Sequence, residues 1–138
     1  ENGARRCVPL AVSGPFHTSM MSPAGEALRG WFQELSFAPM QLPVLFNCLG
    51  REKAEEDSIA ELLVRQVQSG VRMQDTLRRL LELDVDTFVE IGPGTTLCGF
   101  VKKTAKAAGV EAEKLHLFHM ETEEELRAFL SWYHSSRQ

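Results

Sequence analysis

Runs of consecutive apolar residues and apolar residues at helical spacing take turns along this chain. "CVPLAVSG", residues 7–14, reads as a short extended run. Ser22 and Pro23 then open a helix in which Ala27, Leu28, Trp31, Phe32 and Leu35 recur at intervals of three and four, so the spacing predicts a helix that ends near Ser36. "LPVLFN" predicts a buried strand ending at Asn47, and the polar stretch "CLGREKAEED" predicts a loop. A helix over "SIAELLVRQV" follows, which Asp57 or Ser58 can cap. Gly70 separates it from a second helix, "RMQDTLRRLLEL". The apolar run "DTFVEIGPG" predicts a strand stopping at a glycine turn, followed by a helix over "TLCGFVKKTAKAA", a strand "KLHLFH" and a closing helix "TEEELRAFLSWYHSS" with an acidic first turn.

Strands separated by one or two helices predict an α/β fold with a largely parallel sheet flanked by helices. In such folds, reactive groups gather at the carboxyl ends of strands. His17, within "GPFHTSMM", and the turn after Ile91 both follow such ends. Two readings of His17 stand at this point: a turn or core histidine satisfied by a backbone bond, and a base placed by a strand-to-helix connection.

With 138 residues the chain is one ordinary domain's worth, and 43% hydrophobic with 25% charged residues describes a soluble globular protein. The net charge of -4 argues against a nucleic-acid partner, and no apolar run is long enough to span a membrane. Cys7, Cys48 and Cys98 are odd in number, far apart and without a CxxC pair, which argues against a disulfide framework or a zinc site and fits a reducing cytoplasm. His116 and His119 fall on opposite faces of their strand and should not share a metal, and His134 lies in a polar last turn. No cofactor and no metal are expected.

Three ordered segments carry a resemblance: "PLAVSGPFHTSMMSPA", "LPVLFNCLG" and "LLVRQVQSGVRMQDTLRRLLELDVDTFVEIGPGTTLCGFVKK". Together they resemble the malonyl-CoA:acyl carrier protein transacylase family over nearly the whole chain. The related acyltransferase domains of polyketide synthases also carry a histidine segment and a Gly-Pro strand end, but "GPGTTLCGFVKK" looks more like the free-standing enzyme. The resemblance implies malonyl transfer from coenzyme A to the thiol of acyl carrier protein through an acyl-serine. A serine in a GxSxG elbow attacks the thioester, and a histidine takes and returns its proton, because a serine hydroxyl is barely ionised near neutral pH.

His17 matches the base, and the main-chain carbonyl that orients its other ring nitrogen falls on Gln66. Phe16, directly before the histidine, leans toward malonyl rather than methylmalonyl use. Asn47 matches a position near the active site that holds a water, although an asparagine ending a strand is as often a turn former. Arg5, Arg6, Lys102 and Lys103 match basic positions for docking an acidic carrier. "GPG" could cradle a phosphate, but the resemblance makes it mainly structural.

The sequence contains no GxSxG, and it also lacks the family's oxyanion-hole glutamine and malonate-binding arginine. The expectation is therefore the carboxyl-terminal portion of an acyltransferase domain over residues 1–138, beginning where a small ferredoxin-like subdomain returns to the large hydrolase-like one. The missing nucleophile-bearing part of the same enzyme is then a partner, and the chain alone should be inactive. Two alternatives remain open: an acyltransferase segment of a polyketide or fatty acid megasynthase, and a catalytically dead interaction module.

Overall fold

The computed structural model describes residues 12–136, together with Gly3, Cys7 and Pro9. Residues 8, 10 and 11 of the expected extended run over residues 7–14 lie outside the described residues, and residues 12–14 form no strand. A 3-10 helix, Ser19–Met21, leads into α1, Ser22–Phe32, with Pro23 in the first turn, where its missing N–H goes unneeded. The helix stops four residues short of the expected end. Beyond Phe32 the chain tightens into three-residue bonds, Gln33 N–H to Gly30 O, Glu34 N–H to Trp31 O and Leu35 N–H to Phe32 O. Trp31 and Leu35, two of the apolar residues at helical spacing, are 71% and 58% exposed. What α1 does bury is Gly25, which lies close against the side-chain amide of Gln68.

The expected strand over residues 42–47 is also shorter. Only Leu45–Phe46, β1, is extended, and it pairs antiparallel with β2, Arg51–Glu52, inside the stretch expected to be a loop. A tight turn closes this hairpin: the N–H groups of Leu49 and Gly50 both donate to Phe46 O, and Gly50 takes a left-handed φ of 71°. Phe46 and Cys48 enter a core cluster with Leu62, and Leu49, Ile59 and Leu63 pack around it.

α2, Ile59–Val67, begins where Ser58 accepts from Glu61 N–H, so Ser58 is the cap and Asp57 instead accepts from Ala54 N–H. It buries Leu62 and Val64. α3, Met73–Glu82, buries Leu77 and holds the hairpin through Arg79, whose guanidinium grips Glu52 with bonds of 2.9 to 3.2 Å.

β3, Thr87–Ile91, and β4, His116–Met120, pair in parallel, from Thr87 opposite His116 to Ile91 opposite Met120. β4 starts two residues later than expected because a 3-10 helix, Ala112–Lys114, takes up Lys114. α4, Thr96–Ala107, connects the two strands. α5, Glu123–Ser135, opens on a reciprocal cap between Thr122 and Glu125, and lays Phe129 and Trp132 against Phe118 of β4. Successive strand residues point to opposite faces, so Phe118 meets α5 while Leu117 faces the cleft beside α4. The α/β class with a parallel strand pair thus follows the order the sequence gives. No helix among the described residues is long and apolar enough to cross a membrane.

Candidate functional site

His17 sits in the short connection before the 3-10 helix with a left-handed backbone, φ 62°, which is uncommon for a residue with a Cβ. Local bonds hold it there. Thr18 Oγ1 donates to Pro15 O at 2.7 Å and accepts from Met20 N–H at 3.3 Å, so the turn is tied on both sides of the histidine.

A helix leaves its last four carbonyls without intrahelical partners, and two such carbonyls of α2 point at this residue. His17 N–H donates to Val67 O at 3.2 Å, and the imidazole Nδ1 lies 2.9 Å from Gln66 O. A carbonyl oxygen can only accept, so Nδ1 carries the proton and Nε2 presents a lone pair. The histidine is exposed, which leaves Nε2 approachable. This arrangement can take a proton from a neighbouring hydroxyl or thiol and return it, with the ring held in one tautomer.

The other sequence-derived residues are distributed unevenly around this pair. Phe16 is adjacent in the chain and 56% exposed, and its ring folds back over Gly14. Asn47 lies in the β1–β2 turn, where its main-chain carbonyl accepts from Arg72 N–H at 2.8 Å. It has no hydrogen bond to His17 among the described residues.

Lys102 and Lys103 are both exposed on α4 but face different clefts. Lys102 lines one of about 490 Å³ beside Leu117 of β4, and Lys103 lines one of about 330 Å³ beside Met73 and Leu77 of α3. Arg5 and Arg6 lie outside the described residues.

The glycine turn after Ile91 carries an anion of its own. Glu90, buried on β3, sends one carboxylate oxygen to Leu97 N–H at 3.0 Å and the other to Cys98 N–H at 2.8 Å, capping the N-terminus of α4. These main-chain donors, Cys98 first, hold the Glu90 carboxyl below the usual carboxylate range. Burial, with the Glu90 carboxylate alongside, pushes the Cys98 thiol up. Gly94 N–H donates to Glu121 at 3.1 Å, and Gly92 N–H to Met120 O at 3.1 Å. Four main-chain donors around this turn, those of Gly92, Gly94, Leu97 and Cys98, are therefore already used.

Sequence reasoning missed Glu90. Its signal was a single carboxylate inside an apolar strand, two residues before a glycine turn.

The His116 ring packs tilted, at 49°, against Trp132 with 4.9 Å between ring centroids, while His119 Nε2 lies 2.8 Å from Glu125. The two histidines are thus engaged separately. The N–H groups of Glu121 and Thr122 hold the Glu125 carboxyl below its ordinary range.

No family model matches the chain. A malonyl CoA-acyl carrier protein transacylase of Bacillus subtilis (strain 168) is 42% identical over 103 residues, covering 75% of this chain and 32% of that protein. The crystal structure of a malonyl CoA-acyl carrier protein transacylase from Clostridium perfringens aligns with 94% of this chain and 39% of its own, at 35% identity and a TM-score of 0.81. A structure of a type II PKS acyl-carrier protein in complex with its malonyl-transacylase aligns with 90% of this chain and 38% of its own, at 31% identity and a TM-score of 0.75. The chain spans about a third of the length of the curated relative it matches. Over most of its length, in sequence and in fold, the chain is thus similar to malonyl CoA-acyl carrier protein transacylases.

Proposed function

We propose that this chain is the carboxyl-terminal part of a malonyl-CoA:acyl carrier protein transacylase and supplies its general base. The observation that supports this reading is the 2.9 Å contact between His17 Nδ1 and Gln66 O, because it leaves Nε2 as the proton acceptor.

In the first half-reaction Nε2 takes the proton of a serine hydroxyl contributed by the remainder of the enzyme. The serine oxygen bonds to the malonyl carbonyl carbon, the carbon–sulfur bond to coenzyme A breaks, and the proton passes to the departing thiolate. In the second half-reaction Nε2 takes the proton of the carrier thiol, whose sulfur attacks the acyl-serine, and the proton returns to the serine oxygen. The Gln66 carbonyl selects the tautomer without adding a charge, the task an aspartate performs in other triads.

The relatives support malonyl as the acyl group and an acyl carrier protein as acceptor. Phe16, beside the base, fits the malonyl preference, and Asn47 is the candidate for a water near the acyl group. Arg5, Arg6, Lys102 and Lys103 are the candidate docking cations for the acidic carrier.

The test is complementation. Joined to a relative's amino-terminal segment bearing GxSxG, this chain should give malonyl transfer that Asn in place of His17 abolishes. Equal transfer by wild type and His17→Asn would end the general-base assignment.

A further inference from the structure

The cleft beside Lys102 is a second place where the fold brings chemistry together. It lies between α4, the 3-10 helix Ala112–Lys114 and β4, and holds about 490 Å³. Small-molecule sites span roughly 300–1,000 Å³, so the space suits a small ligand. Val110, Leu115 and Leu117 wall it, Ala105 and Ala112 keep it open, and neither an aromatic ring nor a carboxylate lines it.

At its rim stand Lys102 and Lys106, four positions apart and so on one face of α4. Both are exposed, and neither forms an ion pair among the described residues. The nearby Glu111 is instead engaged by Lys114 at 3.0 Å.

A purely aliphatic wall offers no hydrogen bonds to a ring or a sugar, and it gains by covering methylene groups. Two unpaired ammonium groups at its mouth favour a compact oxyanion. An acidic protein surface would satisfy the lysines but leave the concave wall empty.

We propose that this cleft binds a single-chain alkyl carboxylate, with the chain against Val110, Leu115 and Leu117 and the head between Lys102 and Lys106. The site is separate from His17 and does not depend on the transfer reaction.

The experiment is a titration of the complete enzyme, methyl-labelled, with decanoate, followed by NMR, with butyrate and 1-decanol as companion ligands. Expected are saturable shifts confined to the methyls of Val110, Leu115 and Leu117, with butyrate and decanol each weaker by about tenfold or more. Lys106→Gln should weaken decanoate by about tenfold, and it leaves Lys102 and Lys103 in place, so the outcome is separable from carrier docking. Ala112→Trp, at an exposed rim position, should block the cleft.

Thermal melting checks that both variants are folded. If Ala112→Trp does not fold, Lys106→Gln decides. Butyrate or decanol binding as tightly as decanoate overturns the proposal. So does an unchanged affinity in folded Lys106→Gln, or shifts centred on other exposed apolar residues such as Met20 and Leu42.

Discussion

His17 and Gln66 are 49 positions apart in sequence, yet the imidazole of one and the main-chain carbonyl of the other meet at 2.9 Å. The contribution of Gln66 is an atom every residue has, so its side chain is replaceable where that of His17 is not. In the complete enzyme His17→Ala should reduce acyl transfer by about 10² to 10⁴. Gln66→Ala should cost far less, because α2 still ends in the same free carbonyl. Steady-state rates for the two variants check this, and equal losses would show that the Gln66 side chain, not its backbone, is what matters.

The isolated chain should transfer no malonyl group. A base without a nucleophile cannot form the acyl-enzyme, and the sequence has no GxSxG serine. Mixed with malonyl-CoA and holo carrier, the chain should produce malonyl-carrier no faster than a blank. Robust turnover would mean that another residue performs the attack.

Carrier docking should respond to charge reversal at α4. Lys102→Glu with Lys103→Glu in the complete enzyme should slow the carrier-dependent half-reaction, most at low ionic strength, while acylation by malonyl-CoA stays nearly intact. The two lysines face different clefts, so the single reversals should be unequal. A defect of the same size in both half-reactions, or one indifferent to salt, returns both lysines to the solvated surface.

Stability should fall in acid through the carboxylates that cap helices. Glu90 and Glu125 have folded-state pKa values held down by main-chain N–H groups. Their contribution is therefore fully present above the unfolded value of about 4.3 and is lost as pH drops through the folded one. Wild-type melting temperature should be flat near neutrality and decline below about pH 5. Glu90→Gln should start lower at neutral pH and decline less. A variant whose melting curve runs parallel to wild type across the acid range would remove Glu90 from this account.

Gly50 should tolerate no side chain. A Cβ there would lie 2.6 Å from the Cβ of Asp75 and 3.1 Å from that of Arg72, on a backbone already left-handed. Gly50→Ala is expected to cost about 1–3 kcal/mol, read from urea unfolding of this chain. A loss below a few tenths would mean that the hairpin moves off α3 freely.

The parts of the fold legible in the sequence were those with local signals. Ser58, one of two cap candidates, announces α2 because a cap acts on the next three residues, and the acidic first turn announces α5. The lengths of α1 and β1 were not legible. Apolar spacing continues through Leu35, and apolar content through residues 42–44, but α1 gives way to three-residue backbone bonds at Gly30–Phe32, and β1 ends in the turn on Phe46 O.

The site divides the same way. His17 could be singled out as a side chain in a motif, while Gln66 came only through family resemblance, since a main-chain carbonyl leaves no mark in a sequence. Glu90 escaped because its partners, Leu97 and Cys98, lie across the glycine turn.

The order of the elements also bears on how the chain opens and closes. β3, α4, the 3-10 helix Ala112–Lys114, β4 and α5 follow one another over residues 87–135, and they hold together through the parallel ladder and the Phe118, Phe129 and Trp132 rings. The His17–Gln66 contact, by contrast, joins a turn and a helix end that become neighbours only once α1 has docked on α2. Contacts between near neighbours form early, and contiguous units open together. The carboxyl-terminal segment is thus a candidate cooperative unit, whose amide-exchange protection should differ from that of the turn and helix end around the histidine.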